Sequence, residues 1–186
     1  IGMLHCGDSS GIQLADQSGA FSDCTRMMWY ATDPLDLSST TTLETAFLNC
    51  TSMDGSFGNW KSVSGITSMN GTFQNCTSFN HDLPTPNWDT GNVLDMSGTF
   101  RNATAFNYDL QDWDVGQVTT MACMFKGANS FRGDIACWNT VSVSDFRDVL
   151  VVGSAFVRSL LTLVSAQLVS ARPKLTIETL VFVPIN

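Results

Sequence analysis

Four Asn-x-Thr tripeptides stand out as acceptors for chemistry: Asn49-Cys-Thr, Asn70-Gly-Thr, Asn75-Cys-Thr and Asn102-Ala-Thr. In a secreted eukaryotic protein such tripeptides are glycan acceptors. A second chemistry belongs to the six cysteines, Cys6, Cys24, Cys50, Cys76, Cys123 and Cys137. No Cys-x-x-Cys pair occurs, and His5 and His81 have no ligand-like spacing, so zinc is not expected. Cys123 with Cys137 is the leading disulfide candidate, and Cys6 with Cys24 the second. The third group is carboxylate: Asp82, Asp109 and Asp134 recur at equivalent places, with Asp89 and Asp114 each following a tryptophan. Carboxylates stacked about 5 Å apart repel, so something must offset them. Asx-type turns are one answer and calcium held between units is the other, although the Gly-rich loops of dedicated calcium repeats are missing. Catalysis has no comparable foothold: there is no Gly-x-Ser-x-Gly, no phosphate loop and no histidine beside a nucleophile. The expectation is a non-enzymatic chain with no cofactor beyond those calcium candidates.

Composition narrows the classes further. The chain has 186 residues, a formal charge of -8 and only 14% charged residues. That charge excludes the basic stripe that neutralises nucleic-acid phosphates, and it disfavours simple attachment to anionic lipid. Ser, Thr, Asn and Gly fill the gap, which gives a polar surface of low charge. Six cysteines suit an oxidising compartment, extracellular or at the cell surface. The start of the chain lacks a basic region followed by an apolar one, as expected if a signal peptide has been removed or the chain is a fragment.

The elements that position these groups emerge from an internal repeat. Phe21, Phe47, Phe73, Phe100 and Phe125, with Leu150 in the sixth place, are separated by 26, 26, 27, 25 and 25 residues. Three positions later come Cys24, Cys50, Cys76, Ala103, Ala128 and Gly153, and three further on Met27, Met53, Phe79, Phe106, Phe131 and Phe156. Trp60, Trp88, Trp113 and Trp138 follow, then an Ile/Val and a Met column. Val93, Met96, Phe100 and Ala103 sit at i, i+3, i+7 and i+10, the stripe of a short helix, with helical turns or 3₁₀ pieces as alternatives because of Gly71 and Gly98. Residues 79–83 and 106–110 read as short strands pairing in a parallel ladder. The expected fold class is α/β: a leucine-rich-repeat-like solenoid of about six ~25-residue units with short parallel strands and short helical turns. Residues 1–20 would form an N-terminal cap, 21–149 the regular repeats, and 150–186 a degenerate repeat and C-terminal cap.

In that frame the chemistry-bearing residues are columns of one stack. Asn49, Asn75 and Asn102 share a column, as do Cys24, Cys50 and Cys76. The cysteine column can be read as a ladder of small buried thiols or as bridged neighbours. Thr25, Thr51, Thr77 and Thr104 form a threonine row, but with no second row beside it an ice-binding face is not favoured. The tryptophans read as packing residues whose indole N–H groups reach backbone carbonyls, rather than as a sugar-binding strip.

The segment from Asn92 to Trp113, with its Val-x-x-Met-x-x-x-Phe-x-x-Ala-x-x-Phe-Asn-x-Asp-Leu-x-x-Trp spacing, resembles the BspA-type leucine-rich repeats. It is closest to the variant long catalogued as a domain of unknown function in bacterial and protist surface proteins. The resemblance is strong over residues 60–146. It implies a solenoid with a surface role and supplies no catalytic residues to transfer. Residues 149–169 are apolar enough to suggest a membrane span, yet Leu150, Gly153, Phe156, Leu160 and Leu163 keep the repeat register, which favours a terminal unit and cap over membrane contact. The expected function is an extracellular or surface-displayed recognition or adhesion module with a protein or glycan partner. The alternative is a structural subunit docked through the apolar C-terminal region into a larger assembly.

Overall fold

The computed structural model describes residues 18–27, 37–55, 63–83 and 88–149. Within them each unit lies in register against the next, and the register is carried by backbone hydrogen bonds. Leu43, Thr45, Phe47 and Asn49 donate their N–H groups to the carbonyls of Ser68, Asn70, Thr72 and Gln74, at 2.8–3.0 Å. The alternate residues turn back on their own unit, Ala46 to Leu43, Leu48 to Thr45 and Cys50 to Phe47. The same alternation returns at Met69, Gly71, Phe73 and Asn75, and again at Met96, Gly98, Phe100 and Asn102. The backbone on this edge is thereby paired either locally or to the next unit, as burial demands.

Such a path needs the chain to reverse its curl twice per unit, and two columns of left-handed residues do it. One comprises Gly19, Thr45, Gly71, Gly98, Cys123 and Asp148, and the other Asp23, Asn49, Asn75, Asn102 and Gly127, with φ between 51° and 78°. Asn and Asp enter this region more easily than other side chains, and Gly enters it freely. These residues correct the helical expectation. Gly98 and Asn102 fall inside the stripe of residues 93–103, and their positive φ is incompatible with a right-handed helix. No described residue is helical; that segment is a chain of turns.

The expected strands are displaced as well. Residues 79–83 and 106–110 are not strands. Parallel pairing occurs instead as isolated bridges, Thr42 to Ser68, Ser68 to Asp95, Asp95 to Thr120 and Thr120 to Asp145, one residue before the Leu/Met/Phe column.

The core lies between the two edges and consists of rows of apolar side chains, most prominently two phenylalanine rows. Phe21, Phe47, Phe73, Phe100 and Phe125 stack with ring centroids 5.3–5.6 Å apart and planes within 9° of parallel. Phe79, Phe106 and Phe131 form a second row at 5.7 Å, and the rows meet inside each unit at 4.1–4.4 Å. These offset stacks add about 0.5–1.5 kcal/mol per pair to the roughly 1.5–3 kcal/mol of burying each ring. Ile66, Val93, Met69, Met96, Trp88 and Trp113 close the core on either side. Most of the N-terminal cap and all of residues 150–186, with the apolar stretch that reads as a terminal unit, lie outside the described residues. Among the described ones no helix is long and apolar enough to cross a membrane.

Candidate functional site: the two edges of the stack

The sequon column sits on the left-handed edge and is a hydrogen-bond ladder. Asn49 Nδ2 donates to Asp23 Oδ1 at 2.7 Å, Asn75 Nδ2 to Asn49 Oδ1 at 2.6 Å, and Asn102 Nδ2 to Asn75 Oδ1 at 2.8 Å. An amide is both donor and acceptor, so it can repeat indefinitely along a stack. The row stops at Gly127, where a Cβ would lie 2.2 Å from Asn102 Oδ1. The sequon threonines run in parallel: Thr51, Thr77 and Thr104 donate Oγ1–H to the carbonyls of Thr25, Thr51 and Thr77 at 3.2–3.3 Å. Asn70, the fourth candidate, donates Nδ2–H to Asp95 Oδ2 at 3.2 Å. All four sequon amides are therefore engaged within the stack.

Just inside this edge the cysteines face the core. Cys50 and Cys76 are fully buried, and each thiol donates to the carbonyl of the preceding unit, Phe21 O and Phe47 O, at 3.0 Å. Burial pushes the Cys50 thiol up to about 12 and raises that of Cys76 as well. Cys24, in the same column, is half-buried; Cys123 is half-buried on the left-handed edge and Cys137 is exposed. The disulfide candidates Cys24, Cys123 and Cys137 are all free thiols in the structure, and Cys6 lies outside the described residues.

The opposite edge, residues 80–83, 107–114 and 132–139, is joined by side chains. Asn80 Oδ1 accepts from the N–H of Asn107 at 2.9 Å, and Asn107 Oδ1 from the N–H of Arg132 at 2.7 Å. The indole of Trp113 donates to Leu83 O at 3.4 Å, and that of Trp138 to Leu110 O at 2.9 Å. His81 contacts Asp54 of the preceding unit. Between Asp82–Leu83 and residues 109–113 the units leave a cavity of about 220 Å³.

Four repeat carboxylates, Asp89, Asp109, Asp114 and Asp134, belong to Asx turns. Asp109 Oδ1 accepts from Gln111 N–H at 3.2 Å and Asp134 Oδ1 from Ala136 N–H at 2.8 Å. Asp89 and Asp114 do the same for Gly91 and Gly116. Asp82 and Asp109 line the cavity with Gln111 and Asp112. Among the described residues no three Asp, Glu, His or Cys side chains converge in a way that could hold a metal ion. The calcium candidates Asp82, Asp109 and Asp134 are thus set one to a unit along the edge.

Cations gather on the left-handed edge at the fifth and sixth units. Lys126 Nζ bonds Asp148 Oδ2 at 2.7 Å, and Arg147 Nη2 bonds Asp145 Oδ2 at 2.7 Å. The hydrogen bond from Lys126 holds the Asp148 carboxyl below its ordinary value, and that from Arg147 does so for Asp145. The Lys126–Asp148 pair spans two units just where Gly127 interrupts the asparagine ladder.

Sequence reasoning did not find three sets of ladder residues. Thr72 and Thr99 are buried with Oγ1 within 2.8–3.0 Å of carbonyls in their own and the preceding unit. Asn80 and Asn107 are linkers on the second edge, and the recurring Phe-Asn pair was their signal. The left-handed column at Gly71 and Gly98 was legible only as two aligned glycines.

The family described as "Mycoplasma protein of unknown function, DUF285" matches residues 15–86 and 84–172. No curated protein and no solved structure matches the chain.

Proposed function

The chain belongs to the DUF285 family, and we propose that it is a non-enzymatic, extracellular or surface-displayed recognition or adhesion module. In this reading the whole chain is a leucine-rich-repeat-like solenoid of the BspA type, and its recognition face is the edge carrying Asp82, Asp109, Gln111 and Asp112. One observation supports the choice of edge. On the left-handed side the asparagine and threonine groups are spent on neighbouring units. Beside the cavity, Asp82, Asp109 and Asp112 are exposed in a gap between units. Repeat stacks present extended, quasi-regular surfaces, and a partner reading several units at once gains from that regularity. A protein or glycan is the partner class, and no cofactor is assigned.

The test is binding of the purified protein to arrays of extracellular proteins and glycans. The double variant D109K/D112K should lose the signals that the wild type gives, while T77K on the opposite edge should keep them. Equal behaviour of the two variants, or no binding by the wild type, would overturn the reading. The apolar residues 149–183 support the alternative of a structural subunit in a larger assembly. In that case the protein purified from its source would travel as a stoichiometric complex.

A further inference from the structure

Cys50 and Cys76 are fully buried thiols in a column of small core side chains. The same column holds Ala103 and Ala128, buried to a similar degree, so the fold is satisfied there without sulfur. Each thiol lies beneath the unit before it, its hydrogen directed at the carbonyl of Phe21 or Phe47. Nothing larger than cysteine occupies this column in the described units, and the phenylalanine row stacks immediately beside it. A thiol in this position is unreactive while the units are together, because it is shielded and held as S–H. It becomes an ordinary thiol once the preceding unit lifts away.

We propose that Cys50 and Cys76 form a redox latch: protected while the units are stacked, and capped by a low-molecular-weight disulfide when the units part, which prevents restacking. The step balances without help from the protein. The Cys50 thiol gives up its proton and its sulfur attacks one sulfur of the oxidant. A new S–S bond forms, the oxidant's S–S bond breaks, and its other half leaves as a thiolate that takes up a proton. The bulk of the cap then stands where the column accepts only a methyl or a thiol, and the hydrogen bond to Phe21 O is gone. A reductant reverses the step.

The test uses glutathione disulfide as probe, with peptide mass spectrometry to place the adduct and near-ultraviolet circular dichroism to follow aromatic packing. In native buffer the exposed Cys137 is capped with no change in the aromatic signal, and Cys50 and Cys76 stay free. In sub-denaturing urea Cys50 and Cys76 are capped as well. After urea is removed the capped protein lacks the native signal until dithiothreitol is added. The variant C50A/C76A, which places in these units the alanine found at 103 and 128, recovers its signal after the same treatment. Several results would overturn the latch. These are capping of Cys50 and Cys76 in native buffer as fast as Cys137, no capping in urea, or full recovery with the caps in place. A Cys50–Cys76 bridge in place of the adducts would overturn it too.

Discussion

Between the third and fourth units the left-handed edge makes four backbone hydrogen bonds, from Met69, Gly71, Phe73 and Asn75 to the carbonyls of Asp95, Ser97, Thr99 and Arg101. The Asn75–Asn102 amide pair and the Thr77–Thr104 contact run alongside. On the other edge the same two units meet through the Asn80 amide and the Trp113 indole. Both edges carry asparagines at the repeat spacing, yet one asparagine column bonds to itself and the other bonds to backbone. The difference follows from backbone conformation. Left-handed residues turn alternate N–H groups along the stack, which pins the units together and uses up the polar side chains. Where that device is missing, the units are stitched by longer side chains and leave a cavity.

Substitutions can break this contrast. The largest effect is expected for N75A, which removes two amide bonds worth about 0.5–1.5 kcal/mol each and places alanine at a φ that costs about 1–2 kcal/mol. Chemical denaturation should show a loss of about 2–5 kcal/mol, and N75G should recover about 1 kcal/mol of it. Next comes G133A on the cavity edge, where a Cβ would lie 2.7 Å from Tyr108 O and 2.9 Å from the Phe131 ring. Moving backbone and ring apart should cost about 1–3 kcal/mol in the same measurement. A smaller loss, about 1 kcal/mol, is expected for N107A, because the side chain gives only one acceptor to Arg132 N–H. If N107A cost as much as N75A, the two edges would be equivalent.

The smallest effect concerns pH. Asp145 and Asp148 have carboxyls held below the ordinary value in the folded protein. Their contribution is present above the ordinary carboxylate pKa of about 4 and is lost as pH falls through the lowered value. The melting temperature of the wild type should therefore fall slightly below pH 4, and less so for D148N. A drop of the same size in both proteins would remove the Lys126–Asp148 pair from the account.

The apolar columns of this fold were legible in the sequence because apolar residues recur at a spacing of 25–27, as in the row from Phe21 to Phe125. Phe47, Phe73 and Phe100 mark the repeat in the sequence, and in the structure their rings stack. The local backbone was not legible, for a specific reason. Successive three-residue turns, such as Ala46 to Leu43 and Leu48 to Thr45, space apolar residues by three and four, as a helix does. Only the left-handed residues tell the two apart. They are spread over Gly, Thr, Cys and Asp in one column and over Asp, Asn and Gly in the other, so no single residue type announces them. The sequons show a related ambiguity. Asn49, Asn75 and Asn102 follow a glycan-acceptor pattern, while their position answers to left-handed φ and an amide ladder. The Asx turns at Asp109 and Asp134 were foreseen as one of two options, since a carboxylate two residues before a free N–H is a local feature.

Residue-resolved amide hydrogen exchange of the native protein addresses the contrast between the edges most directly. The amides of Gly71, Phe73, Asn75, Gly98, Phe100 and Asn102, each bonded to the next unit, should be among the slowest to exchange. Those of Tyr108, Asp109 and Leu110, on the cavity edge, should exchange faster by orders of magnitude. Equal protection on the two edges, or slower exchange at residues 108–110, would contradict the account.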